Sequence, residues 1–392
     1  MTDRLRVVLA TNAATGHVYP LLGLAEALRA DGHAVTFVTT ADLTAWLEGL
    51  GFATRTAGET IWTAVGAVQE RDPDLTTHLP RDEAWRLDAE LFAFELPRRN
   101  TILLAEVIGD LHPDLVVFES ANLGARLAAS RLGIPAVCLD LWAAGRWHVP
   151  QSELEARLRA AWAEVSTDPL PVDPLYGVAR LDPAPPSLTA PRPDSGGSTT
   201  RRIPMRQLAW GDPALPPVQL DRPGTRPLVY LTLGTVGWGS AELLREALAG
   251  ISSQPVDVLV AVGAHFDPAE LGALDDSVRV EGFVRQDLLW PHVAAVVHHG
   301  GSGTLLGAAT HAVPQLVLPS GADQFQNATV LAGSGAGRAV PPGEVTVASV
   351  SDGVADLLDD PSYRIAARQL QDEIAALPTP VEVIPDLLEL AR

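Results

Sequence analysis

Short runs of consecutive apolar residues alternate along the chain with longer stretches in which apolar residues recur every three or four positions. The first run, Leu5–Ala10, is apolar apart from Arg6, the pattern of a strand covered on both faces of a parallel sheet. A loop over Thr11–Tyr19 follows, and Pro20 then opens a helical stretch that closes at Gly32. Proline at the start and glycine past the end suit the two helix termini. Ala34–Thr39 is the next strand and completes a strand–helix–strand unit. The same alternation predicts a helix near Asp42–Leu50, a strand near Phe52–Thr56 and a long helix over Glu83–Leu111. A strand at Leu115–Phe118, a helix at Leu123–Leu132 and a strand at Pro135–Leu139 continue it. Residues 60–82 show no clear period and read as loops.

From about Pro169 to Pro227 proline, glycine and serine crowd the chain, which reads as a partly extended connection between domains. At Leu228 the pattern restarts as strand, glycine turn and helix (Ala241–Leu248), with strands near 256–262 and 278–280. The segment 294–327 holds an apolar strand, a glycine-rich turn, a helix reaching about His311, a second strand (Pro314–Leu318) and a polar patch. Alternating strands and helices give parallel sheets. The expectation is an α/β protein of two doubly wound, Rossmann-like sheets facing across a cleft. Residues 1–200 form the first domain, 201–226 the linker and 227–375 the second domain. Residues 376–392 form a terminal helix placed to cross back to the first.

Composition narrows the partners. The chain has 392 residues, 47% hydrophobic and 19% charged, so it is globular and long enough for two cores. A net charge of −20 argues against nucleic acid or an anionic membrane as the partner. The single cysteine, Cys138, lies in an apolar run and offers neither an intrachain disulfide nor a thiolate metal cluster. The N-terminal run reads as a first strand rather than a signal peptide, and no apolar run is long enough to span a membrane. A cytoplasmic location is expected. The D-x-D spelling Asp72-Pro73-Asp74 follows charged residues and reads as a solvated turn. The histidines show no metal-binding spacing, so no metal is expected.

The chemistry concentrates where glycine turns meet helix starts. In the turn His298-His299-Gly300-Gly301-Ser302-Gly303-Thr304, glycines let backbone N–H groups approach a ligand, and the following helix start attracts anions. Asp323 and Gln324 form a carboxylate–amide pair at the end of the next strand, the end where such sheets bind ligands. A phosphate grip beside that pair suits a nucleotide-sugar.

GHVYP at Gly16–Pro20, GFVRQ at Gly282–Gln286, HHGGSGT at 298–304 and the Asp323–Gln324 pair together resemble the inverting glycosyltransferases that modify natural products. These share the GT-B fold with plant UDP-glycosyltransferases. The chain is most similar to the actinomycete-type enzymes acting on macrolides, enediynes and aromatic polyketides. The resemblance is strongest over 282–327, weaker over 60–110 and absent in the linker. It implies a GT-B fold and an inverting transfer that needs no cofactor, with a dTDP- or UDP-sugar as co-substrate.

His17 would be the base that takes the proton of the acceptor hydroxyl, a task neutral imidazole can do near pH 7. Glu119 stands where the family has an aspartate to orient that ring. Gly234 and Thr235 would approach the outer phosphate, and His298, Gly300, Gly301, Ser302, Gly303 and Thr304 the diphosphate. His299 is either a ligand contact or a packing residue. Phe283 would stack on the base with Val284 beside it, and Asp323 and Gln324 would hold the sugar hydroxyls. Plant relatives carry a ribose-binding glutamate where this chain has Leu306, which favours a deoxyribose and hence dTDP.

Trp142, Trp147 and His148 follow the fifth strand and either line an apolar acceptor pocket or fill the core. The expected partners are a nucleotide-sugar and an apolar aglycone, with no nucleic acid and no membrane. A homodimer and an auxiliary activator protein remain open. Competing readings are a nucleotide-sugar epimerase or hydrolase on the same fold and a non-catalytic partner of another transferase. An NAD-dependent oxidoreductase is opposed by the lack of G-x-G-x-x-G after the first strand.

Overall fold

The computed structural model describes residues 4–76, 79, 82–83, 85–189, 200–218, 226–234, 241–263 and 266–392. Among them seven strands form one sheet: β1 (Arg6–Ala10), β2 (Ala34–Thr39), β3 (Ala53–Thr56), β4 (Leu115–Glu119), β5 (Ala136–Leu139), β6 (Ala179–Asp182) and β7 (Arg201–Pro204). Six form another: β8 (Leu228–Thr232), β9 (Asp257–Ala261), β10 (Val278–Glu281), β11 (Ala295–His298), β12 (Gln315–Val317) and β13 (Gly337–Ala339). The spatial orders are β3-β2-β1-β4-β5-β6-β7 and β10-β9-β8-β11-β12-β13, and every pairing is parallel. The second order repeats the first six strands of the first. These are the doubly wound sheets expected from the alternation.

Both orders reverse beside their first strand, between β1 and β4 and between β8 and β11. Loops leave the carboxyl ends of two neighbouring strands in opposite directions there, and the gap between them is where such sheets bind ligands. Pairing of Ala10 with Phe118, and of Thr232 with His298, brings the chain after each strand alongside its neighbour's end. Function is therefore expected at residues just past 10, 118, 232 and 298.

Three regions differ from the sequence expectation: the first helix, the stretch 60–82 and the linker. The first helix runs Thr15–Ala30, so Pro20 lies inside it and Gly16 and His17 sit in its first turn rather than in a loop. Pro20 has no N–H to give to the carbonyl of Gly16, and so close to the helix start that loss is local. Residues 61–71 form a helix, Ile61–Arg71, capped by the Thr60 side chain accepting from Thr63 N–H. Its buried face, Ala64, Val65 and Val68, carries the three-and-four spacing that was readable.

The supposed linker also contains structure. β6 and β7 extend the first sheet, so that sheet reaches Pro204, past the expected boundary at 200. These four-residue strands are short enough for the surrounding prolines and glycines to hide.

The first core gathers β1, β4, β5 and their helices, and the terminal helix Ile384–Leu390 buries Val383, Ile384 and Leu387 in it. Arg201 pairs with Asp386 and Glu389 on that helix. Apolar clusters cover the two faces of the second sheet. A further cluster joins Ala143 and Leu188 of the first domain to Leu305, Leu306 and Ala309 of the second, so the domains meet beside the glycine turn. Among the described residues no helix is long and apolar enough to cross a membrane.

Candidate active site

His17 stands at the start of the helix after β1, and its Nδ1 lies 3.0 Å from Oε1 of Glu119 at the end of β4. Glu119 is fully buried. Its Oε1 also accepts from Asn12 N–H at 3.2 Å and from the Asn12 amide at 2.9 Å, and its Oε2 accepts from Ala121 N–H at 2.6 Å. A carboxylate fixed this way holds the proton of neutral His17 on Nδ1 and leaves the Nε2 lone pair for substrate. The extra methylene of glutamate is accommodated, and the pair forms. Burial works against charge on the ring. The Glu119 charge and hydrogen bond, with Asp323 of the second domain, outweigh it and raise the His17 pKa above its ordinary 6.5. The helix Thr15–Ala30 packs against Ser302–Ala309, so this ring and the glycine turn face one another.

On the second domain, Gly300 adopts φ 94°, and a Cβ there would sit 2.7 Å from Val317 Cγ1. Only glycine makes this turn. Gly301 precedes the helix Ser302–Ala309 and has no side chain to cap it, which leaves the first-turn N–H groups of Ser302, Gly303 and Thr304 for an anion.

The two histidines differ in their surroundings. His298 ends β11 and is fully buried, with Nε2 2.9 Å from Gln315 Oε1 and Nδ1 accepting from Gly300 N–H at 3.1 Å. Burial, then the neighbouring His299, push its pKa down to about 3 against the Gln315 bond, so the ring is neutral and spent on shaping the turn. His299, one residue on, is half-buried. Its ring lies against both glycine turns: a Cβ on Gly234 (φ 84°) would come within 2.8 Å of it, and one on Gly301 would collide with it. Burial pushes its pKa down to about 4 against a bond to the Thr232 backbone, and Nδ1 has no partner among the described residues. Of the two rings, His298 is the one with both nitrogens engaged.

Ser302 Oγ donates to Asp323 Oδ2 at 2.8 Å and accepts from Ala143 N–H at 2.9 Å, so its hydroxyl links the domains instead of standing free. Asp323 Oδ2 also accepts from Asn327 at 2.7 Å; neither bond uses Oδ1. Burial raises the Asp323 pKa against the opposing pull of His148, Ser302 and Asn327. The Gln324 side-chain oxygen accepts from Ser320 N–H at 2.8 Å and Gly321 N–H at 3.2 Å, which leaves its amide nitrogen for a ligand. Phe283, after β10, is 45% exposed, while Val284 packs beside Tyr230 and Trp290. Thr235 lies outside the described residues. Leu306 is packed in the cluster between the domains.

On the acceptor side, Trp142 and Trp147 are buried in the first core with ring centroids 4.5 Å apart. Two further residues escaped the sequence reading. Phe92 stacks on His17 at 6.1 Å and touches Trp147 at 6.0 Å. Asp88 Oδ2 lies 2.7 Å from His148 Nε2. Both come from the long helical stretch, where Leu91–Glu95 forms a single π-helical turn, a feature that recurs at functional sites. Buried Glu95 holds that turn through Arg71, Arg98 and Arg99. Burial favours its neutral form, but the three arginines prevail and hold its pKa down at about 2.

The family model of the erythromycin biosynthesis protein CIII-like C-terminal domain matches residues 245–390. The L-demethylnoviosyl transferase of Streptomyces niveus is 32% identical over 98% of this chain and 97% of its own. The 10-deoxymethynolide desosaminyltransferase of Streptomyces venezuelae is 31% identical over 99% and 97%. Among solved structures, the Streptomyces sp. SF2575 glycosyltransferase SsfS6, complexed with thymidine diphosphate, covers 98% of this chain with 100% of its own at 26% identity and a TM-score of 0.80. Relatives sharing nearly a third of their residues along almost the whole length decide the family: the chain belongs to the GT-B-fold glycosyltransferases of natural-product biosynthesis.

Proposed function

We propose that the protein transfers a deoxysugar from a dTDP-sugar to a hydroxyl of an apolar aglycone, with inversion and without a metal. The reading rests on the His17–Glu119 pair at one switch point, set opposite Asp323 and the glycine turn of the other. The acceptor oxygen attacks the anomeric carbon as its proton passes to His17 Nε2. The bond from that carbon to the diphosphate breaks on the opposite face, and its electron pair leaves with dTDP. Glu119 stabilises the imidazolium that results. The N–H groups of Ser302, Gly303 and Thr304, with His299, take up the charge on the leaving diphosphate. Asp323 Oδ1 and the Gln324 amide nitrogen hold the sugar hydroxyls. The thymidine diphosphate bound by a structural neighbour supports the donor choice, and Leu306 offers no polar atom to a ribose 2′-hydroxyl.

Two measurements test this. His17→Ala lowers kcat by ~10²–10⁴, the loss expected for a general base, while dTDP still raises Tm as in the parent. A fully active variant removes His17 from the mechanism. In a thermal-shift panel dTDP stabilises more than UDP, and the reverse order overturns the donor assignment.

A further inference from the structure

The segment that follows β7 is held by both domains. On the first-domain side the Trp210 ring packs against Tyr19 and Trp46, with centroids 5.2 and 5.6 Å away. Those two rings lie 5.9 Å from each other. Trp46 Nε1 donates to Asp212 Oδ2 at 2.8 Å. Leu208 rests on Gly23, where a Cβ would already touch it at 3.5 Å. Tyr19 and Gly23 belong to the helix that carries His17.

On the second-domain side the same segment meets the loop Gly282–Gln286. Ala209 and Val284 pack against one apolar cluster, around Tyr230 and Trp290. Gly211 passes so close to the helical turn Gln286–Leu289 that a Cβ would land on the Asp287 carboxylate. That carboxylate takes the Arg285 guanidinium at both oxygens, from Nε at 3.2 Å and from Nη2 at 2.6 Å. Gln286 donates to the Tyr230 hydroxyl at 3.1 Å. Arg285 also feels the charge of Asp212, which Trp46 of the first domain holds. Phe283 and Val284 therefore stand just before a turn that the segment braces.

We propose that Leu208–Asp212 is a clasp that seats the loop Gly282–Gln286, with Gly211 and Asp212 as positioning residues for the nucleobase of the donor. The proposal rests on the nucleotide-sugar reading above and goes beyond it. Recognition of the base then depends on an aromatic cluster of the first domain, whereas the diphosphate depends on the glycine turn alone. A side chain at position 211 pushes aside Asp287, whose carboxylate can swing away at little cost in stability, and Arg285 loses its partner. A base–aromatic stack displaced in this way weakens binding by about ten-fold.

Calorimetric titration of the full chain tests this with dTDP and with inorganic pyrophosphate, which has no base. The parent binds dTDP more tightly by about ten-fold or more. Gly211→Ala weakens dTDP by about ten-fold and raises the dTDP-sugar KM to match. Pyrophosphate affinity, kcat at saturating donor and the acceptor KM stay at the parent values. Trp46→Phe, which keeps an aromatic ring and removes the N–H, lowers dTDP affinity in the same selective way from the other domain. Parent-like dTDP binding in either variant, or equal loss of dTDP and pyrophosphate, overturns the clasp and leaves the transfer reading standing. A parent that binds dTDP no better than pyrophosphate removes the base site, and this proposal with it.

Discussion

Replacing Glu119 with glutamine removes one charge and turns one acceptor into a donor at a fully buried site. Four hydrogen bonds reach this carboxylate, from Asn12 N–H, the Asn12 amide, His17 Nδ1 and Ala121 N–H. If the glutamine oxygen faces Asn12 and His17, its NH₂ meets the Ala121 N–H, two donors head to head. Turned round, it faces both Asn12 donors and drives the His17 proton to Nε2, the tautomer that cannot act as base. Either orientation strands a buried donor at about 1–3 kcal/mol of stability. The lost bond to a charged partner is worth about 1.5–3 kcal/mol in the transition state, or ~10–150-fold in kcat.

The pH profile carries the sharper signature. The His17 pKa is raised in the folded protein, so its protonated form adds stability that is fully present below pH 6.5 and lost as pH rises through the folded value. The base works only above that value, which places the acid limb of kcat/KM above pH 6.5. In Glu119→Gln the ring loses its main positive influence, and the limb moves to lower pH as kcat falls. The assay is kcat/KM against pH, beside Tm with and without dTDP. A folded, dTDP-binding Glu119→Gln with the parent's limb and kcat would refute the pairing as the source of base strength.

Gly300→Ala forces a side chain into the left-handed region and within 2.7 Å of Val317 Cγ1; it lowers unfolding stability in urea by about 2 kcal/mol or more, and an unchanged midpoint contradicts this turn. His298→Ala leaves Gly300 N–H and Gln315 without their partner and costs about 2–4 kcal/mol of stability. His299→Ala leaves Tm close to the parent and weakens the donor KM by about ten-fold. The opposite pattern in the histidine pair restores the assignment made from sequence.

How far the sequence could be read follows from what each element depends on. Parallel strands covered on both faces must be apolar runs, so β1, β4, β8 and β11 were visible, as were the glycine turns that follow β8 and β11. Strand order was not, because nothing local records which strand pairs with which. His17 and Glu119 were found through motif position, yet their meeting depends on β1 lying beside β4. The different surroundings of His298 and His299 turn on a single residue: which of the two last belongs to the strand. Asp88 and Phe92 reach the site from a helix whose π turn shifts the register of its faces, and no apolar period marks that shift.

The overall charge of −20 and the proposed diphosphate ligand pull in opposite directions, the more so as the chain has no lysine and relies on arginine alone for fixed positive charge. They act over different distances. Exposed charges more than ~8 Å away are largely screened at physiological ionic strength, so the acidic surface governs long-range approach and repels a polyanion that must lie along many residues. In the proposed site a diphosphate would need only one helix start, where Gly301 leaves the N–H groups of Ser302, Gly303 and Thr304 uncapped. The arginines beside the acceptor region are engaged elsewhere: Arg71, Arg98 and Arg99 close on Glu95 and fix the turn that carries Phe92. In the proposed site, phosphate recognition by dipoles would leave these guanidinium groups to fix shape, so an acidic surface and an anionic donor are compatible.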